Sequence, residues 1–202
     1  MDLKSTYNKI ARDWMVDHQG DSWWKTGIDK FISLLKQKDI VLDVGCGAGE
    51  KSIYLAKNGL KVIGMDFSEE MIKIAKERLP TCRFFEGDIR QTLKLDEYVE
   101  GVFAQAVLLH IPKKEIVSVL KNIIEPLKSG GYFYIAVKEQ KEAQTEEEIV
   151  VENDYGYEYE RFFSYYTKAE IQNYLVQLEL EIVYENIAGT GKTNWIQLIA
   201  KK

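Results

Sequence analysis

Val41-Leu42-Asp43-Val44-Gly45-Cys46-Gly47-Ala48-Gly49 decides how this chain reads. An apolar strand runs into a turn with glycine at every second position, and a helical pattern carrying Lys51, Tyr54 and Leu55 opens directly after it. Glycine removes the Cβ atoms that keep a ligand off the backbone. The turn therefore offers bare N–H groups and a helix N-terminus to a polar ligand. Asp43 places a carboxylate just before the turn, which suits a ligand bearing an ammonium group and suits a bare phosphate poorly. A dinucleotide fingerprint has the spacing G-x-G-x-x-G. Here Gly45, Gly47 and Gly49 are followed by Glu50, a charge where close helix–strand packing asks for a small residue. The competing reading is a tight strand–helix turn that binds nothing.

Outward from this stretch, short apolar runs alternate with helical patterns. Strands are expected near 39–44, 61–65, 82–86, 101–107 and 131–137, and helices near 50–58, 68–79 and 113–128, the last ended by Gly130-Gly131. Ser68 reads as an N-cap followed by Glu69 and Glu70. Such alternation predicts a parallel sheet with helices on both faces. Two helical patterns, broken near Gly20, precede it over residues 1–37. Residues 138–166 change character: between 138 and 160 nine acids face only Lys138 and Lys141. This segment reads as an acidic insertion or long loop with a short hairpin around Asp154-Tyr155-Gly156-Tyr157. Thr167 and Glu170 form a capping box opening a helix to about Leu178. Strands near 180–186 and 194–200 close the chain.

The length of 202 residues, with 46% hydrophobic and 12% aromatic residues, fits one domain with one sizeable core. A net charge of −5 leaves no general nucleic-acid footprint. Cys46 and Cys82 show no metal or disulfide spacing, and no metal is expected. No signal-peptide pattern or membrane-length apolar run is visible, so a cytoplasmic protein without a membrane partner is expected. Monomer and homodimer remain equally open.

The Val41–Gly49 stretch resembles motif I of the class I S-adenosylmethionine-dependent methyltransferases, (V/L)LD(V/L)GCGxG. The resemblance is specific over residues 39–137 and looser beyond. It implies a Rossmann-like α/β fold: a seven-stranded, mostly parallel sheet with helices on both faces, an antiparallel last strand beside strand five, and an N-terminal helical lid. The core would span 38–137, and a closing helix and strands 167–202. S-adenosylmethionine would be the cofactor and S-adenosylhomocysteine its product. Asp43, Gly45, Cys46, Gly47 and Gly49 would form the first half of its site. In a doubly wound sheet the ligand lies across the carboxyl ends of the strands. Asp66, ending the second strand, would then accept from both ribose hydroxyls, with Phe67 over an adenine face; the alternative is a plain neighbour of the Ser68 cap. Asp88 and Ile89, in a G-D-I run, would meet the adenine edge; the alternative is a turn aspartate. The resemblance further implies that carbonyls of Gln105 and Ala106 meet the methionine ammonium, and that Tyr7 and Trp14 belong to the lid.

Chemistry is less legible. The sulfonium methyl is already activated, so positioning an acceptor and excluding water supply most of the catalysis. His110, after strand four, is the candidate general base, or a structural histidine. Arg161 can bind an anionic group on a substrate or pair with nearby acids. Tyr165 and Tyr166 line an acceptor pocket or pack the loop onto the sheet. His18, Trp23 and Trp24 form an aromatic mouth or a helix core. The (N/D)-P-P-(F/Y) segment of nucleic-acid amine methylases is missing at Gln105–Leu108. The expected activity is methyl transfer to a small-molecule O, N or S nucleophile, with no nucleic-acid partner, and the acidic segment favours neutral or cationic acceptors. The alternative is a catalytically silent sensor or regulator that binds the same cofactor.

Overall fold

The computed structural model describes residues 2–93, 95–191 and 193–202. The glycine-rich turn joins β1 (Ile40–Val44) to α3 (Glu50–Lys57), in the position the sequence assigns it. Five strands run parallel: β3 (Arg83–Glu86), β2 (Lys61–Asp66), β1, β4 (Val99–Gln105) and β5 (Leu127–Lys138). β9 (Thr193–Lys201) then pairs antiparallel with both β5 and β8 (Glu181–Thr190), giving the order β3-β2-β1-β4-β5-β9-β8. The expected seven-stranded sheet with its antiparallel last strand is thus present.

Strand parity assigns side chains to the two faces. Leu42, Val44, Val102, Phe133, Ile135 and Val137 pack with α5 (Ile116–Ile124) and α6 (Lys168–Gln177). Val41, Val62, Phe103, Tyr134 and Ala136 pack instead with Ile28 and Phe31 of α2 (Lys25–Ser33) and Leu55 of α3. Burial on both faces explains why these strands read as continuous apolar runs. α4 (Glu69–Arg78) is capped as expected, with Ser68 Oγ accepting from Met71 N, and the capping box of Thr167 and Glu170 opens α6.

Three sequence expectations are revised. The helix near 113–128 is a 3-10 turn followed by α5, which stops at Ile124. Pro126 has no N–H to extend it. Gly130 and Gly131 accordingly lie in the irregular start of β5, where the register with β4 shifts between Val99 and Gly101. Within residues 138–166 the chain forms a regular antiparallel hairpin, β6 (Glu147–Glu152) with β7 (Tyr159–Ser164), turning through Asn153 and Gly156. Finally, residues 1–37 divide. α1 (Leu3–Asp17) crosses from α4 to β7, whereas α2 is a core helix whose Gly27 lies against Gln197 and Tyr134. Among the described residues no helix is long and apolar enough to cross a membrane.

Candidate functional site

The strand order reverses between β1 and β4, and a two-lobed cleft opens there at the strands' carboxyl ends. One lobe, a cavity of about 370 Å³, is lined by Asp43, Gly45, Cys46, Gly47, Gln105 and Ala106, with Tyr7, Trp14 and Arg161 among the residues across from them. The other, of about 300 Å³, holds Phe67, Gly87, Asp88 and Ile89. Asp66, Phe67, Gly45, Val107 and His110 border both.

The turn is built for close approach. Gly45 has φ +69°, and a Cβ there would lie 2.5 Å from Val107 Cγ2. A Cβ on Gly47 would meet nothing nearer than Met71 Sδ at 4.0 Å, so that glycine faces open space. Glu50 does not enter the helix–strand seam: its carboxylate pairs with Arg78, whose Nη1 also donates to Ala48 O at 2.9 Å. Past β4, Ala106 is held at φ +55°, a conformation rare for a side chain bearing Cβ and typical of strained functional turns.

Two carboxylates flank this turn inside the protein. Asp43 is 2% exposed and accepts from Ser52 Oγ at 2.6 Å. Asp66 is 7% exposed and accepts from Gly47 N and Ser68 N, each at 2.9 Å. Burial pushes both acids up to about 6, against the hydrogen bonds they accept. Two poorly compensated carboxylates in one cleft favour a ligand with hydroxyl or ammonium donors. Asp88 differs. Burial raises it, but the fork from Arg90 outweighs this and holds it below its ordinary value.

Over the cleft, three distant segments meet. Tyr7 of α1 donates to His110 Nε2 at 2.7 Å, and His110 Nδ1 donates to Phe162 O of β7 at 2.7 Å. Burial, with Arg161 and Lys138 nearby, lowers His110 to about 3, so the ring is neutral with both nitrogens engaged. Arg161 Nη1 lies 3.5 Å from Tyr7 Oη, its Nε and Nη2 grip Glu152, and the guanidinium sits 4.7 Å from the Trp14 ring centre. Tyr7 in turn makes an edge contact with Phe67.

Of the remaining candidates, Arg161, His18 and Trp23 line the cavity. Tyr165 and Tyr166 do not: Tyr165 packs with Leu109, Phe163 and Trp195, and Tyr166 is fully buried in the core against α6. Trp24 packs on the Tyr54 ring beneath the sheet. Strand alternation in β7 puts Arg161 and Phe163 on the cleft face, and the strand ends at Ser164, before both tyrosines. Sequence reasoning passed over Lys51, Lys138, Phe163 and Trp195, which also line the cavity. Parity along β5, with Phe133, Ile135 and Val137 on one face, was the available signal for Lys138. The acidic segment is tied down in part: Glu152 pairs with Arg161 and Glu146 with Lys113, while Glu139 accepts from Asn194 and Asp154 from Tyr159.

A doubly wound sheet with a glycine turn at its switch point and an acid ending the second strand defines a Rossmann-like cofactor-binding protein. Residues 41–131 match the protein family described as a methyltransferase domain. The chain matches this family over just under half of its length. It is 34% identical over 107 residues to a trans-aconitate 2-methyltransferase of Variovorax paradoxus, covering 52% of this chain and 40% of that protein. It is 33% identical over 135 residues to phosphoethanolamine N-methyltransferase 1 of Zea mays, covering 64% of this chain and 26% of that one. The chain thus spans less than half the length of these curated relatives. Among solved structures, the 1,6-didemethyltoxoflavin-N1-methyltransferase of Burkholderia thailandensis, with 1,6-didemethyltoxoflavin and S-adenosylhomocysteine bound, superposes with a TM-score of 0.78 at 18% identity, over 99% of this chain and 87% of that one. At that identity the likeness is one of fold.

Proposed function

We propose that this chain binds S-adenosylmethionine in the two-lobed cleft and transfers its methyl group to a small-molecule acceptor. The observation that carries the reading is the pair of buried carboxylates, Asp43 and Asp66, on either side of a glycine turn whose Gly47 faces open space. Asp66 suits the ribose hydroxyls and Asp43 the ammonium end. Phe67, Asp88 and Ile89 border the lobe that would take the adenine. When bound, S-adenosylmethionine supplies a methyl group already activated on a sulfonium sulphur. The chain's own task is to hold, orient and keep dry.

Tyr7, Trp14 and Arg161 cover the first lobe and exclude water from it. His110 fixes Tyr7 through Nε2, so it can take a proton there only when Tyr7 releases it. An imidazole lowered to about 3 is also a weak base. His110 therefore acts here mainly as the anchor of Tyr7, and the site favours acceptors that need little deprotonation. The relatives named for trans-aconitate and phosphoethanolamine support a small acceptor.

Calorimetric titration with S-adenosylmethionine, S-adenosylhomocysteine and NAD tests the cofactor reading: the first two bind at micromolar levels and NAD does not. Tritiated S-adenosylmethionine offered with total RNA, DNA and a metabolite extract then tests the acceptor class, with label expected in the metabolite fraction. Tight NAD binding without S-adenosylmethionine heat, or label confined to nucleic acid, would refute the corresponding half.

A further inference from the structure

The far end of the larger lobe holds hydrogen-bond donors without matching acceptors. Lys138 ends β5, directly across from Trp195 on β9. By parity both share the sheet face that carries Asp43 and Gln105. Along the strand ends the order is Asp66 on β2, Asp43 on β1, Gln105 on β4, Lys138 on β5 and Trp195 on β9. At about 4.8 Å per strand and about 3.3 Å per residue, Lys138 lies two strands across and four residues along from Asp43, about 16 Å of sheet, on the side away from β2. The carboxylate pair and glycine turn occupy one end of the lobe, and Lys138 the other.

The Lys138 ammonium lies 3.9 Å from the centre of the Phe163 ring. Among the described residues no carboxylate forms an ion pair with it. The acids whose charge reaches it are committed elsewhere: Glu152 to Arg161, and Glu148 to Gln144 at 3.4 Å. Burial and the neighbouring Arg161 pull Lys138 down to about 8, which leaves it mostly protonated at neutral pH. Its cross-strand neighbour repeats the pattern: the indole N–H of Trp195 is buried with no acceptor among the described residues. Trp23 stacks on Trp195 at 4.2 Å and 15°, and Leu109 and Phe163 extend this apolar wall.

Lys138 is half-buried at the cavity wall, and its ammonium has the Phe163 ring but no carboxylate beside it. A neutral or amine-bearing acceptor would leave that charge uncompensated. A carboxylate compensates it with a charge-assisted bond, and a flat body beside it would lie along the Trp23–Trp195 wall. Resting on the methyltransferase reading above, we propose that the acceptor is a small carboxylic acid with a flat apolar body, its carboxylate held by Lys138 as a recognition handle. This departs from the expectation of a neutral or cationic acceptor, which rested on the acid count of residues 138–160.

The test uses the full chain saturated with S-adenosylhomocysteine, titrated calorimetrically with indole-3-acetate and 4-hydroxyphenylacetate and with their methyl esters. The acids are expected to bind at least tenfold more tightly than the esters. Lys138→Met should erase that preference, Lys138→Arg should keep part of it, and both variants should bind S-adenosylhomocysteine within twofold of the parent. Equal binding of acids and esters by the parent chain, or no binding of either acid at millimolar concentration, overturns the proposal. So does a Lys138→Met variant that loses S-adenosylhomocysteine affinity in step, since the ammonium would then serve the cofactor. A chain that does not bind S-adenosylhomocysteine overturns the cofactor reading and this proposal with it; one that binds it and ignores the acids overturns only this proposal.

Discussion

At the scale of single residues, the two buried aspartates make the site sensitive to pH. Their folded-state values, raised to about 6 from an ordinary 3.8, mean that the folded chain holds protons more tightly than the unfolded one. Stability contributed by protonated Asp43 and Asp66 is therefore present at low pH and lost as pH rises from about 4 to about 6. Binding has the opposite sign, because the ribose and ammonium contacts need the ionised acids. S-adenosylmethionine affinity should rise through pH 6 and level off near 7.5. Asp43→Asn separates the two effects. Relative to the parent it should gain thermal stability at pH 7 compared with pH 4.5, and its cofactor affinity should be weak and keep only the pH dependence that Asp66 contributes. A variant whose relative stability is the same at both pH values would show that Asp43 is not strained by burial. Lys51, Cys46 and Asp66 share this environment, and Lys51 is itself lowered by burial, so comparison with the parent at each pH is essential.

At the scale of elements, one buried ion pair ties the two strands of the β6–β7 hairpin together where it borders the cleft. Arg161 is 7% exposed, and two of its nitrogens bond the Glu152 carboxylate across the hairpin. Breaking a buried pair leaves its partner charged and dry, which costs about 3–5 kcal/mol, whereas replacing both members by apolar residues costs far less. Glu152→Ala should therefore lower urea-melt stability by about that amount, and the double replacement of Arg161 and Glu152 by Met should recover most of it. A single variant as stable as the parent would mean that Arg161 finds another partner or turns to water. The same hairpin pairs part of its acids with cations, Glu152 with Arg161 and Glu146 with Lys113. Charge count in a sequence does not reveal which acids are already paired.

At the scale of the whole molecule, α1 closes a cleft whose floor belongs to the sheet. Its polar contacts include Tyr7 to His110, Asn8 Oδ1 to Ser68 Oγ at 2.7 Å, and Thr6 Oγ1 to Glu160 O at 3.1 Å. Tyr7, Ile10 and Ala11 also pack on Met71, Ile74 and Tyr159, a small apolar cluster separate from the core of β1, β4 and β5, so α1 should open by giving up that cluster while the core strands stay closed. If opening abolishes binding, ligand at a hundred times its dissociation constant adds about 2.7 kcal/mol to that opening. Hydrogen exchange of α1 amides should then slow about a hundredfold with saturating S-adenosylhomocysteine, starting from rates above those of β1, β4 and β5. Exchange in α1 that ignores the ligand would remove it from the site.

What the sequence determined by itself was local in the chain. The strand, glycine turn and helix around Asp43 are contiguous, so backbone freedom, capping and burial at each residue depend on neighbours within a few positions. The acid ending β2 and the alternation of strands and helices follow from the same short-range rules, and they were enough for the sheet and its cofactor end. Only the tertiary structure decided the other end. The Lys138–Trp195 pair exists because β9 inserts antiparallel beside β5 in one register, and a one-residue slip of β9 would move Trp195 to the opposite face from Lys138. The contact of Tyr7, His110 and Arg161 joins three segments that share no local pattern. Whether an ionisable group stands free, as Lys138 does, or is paired, as Arg161 is, depends on which partner the fold brings within hydrogen-bond reach.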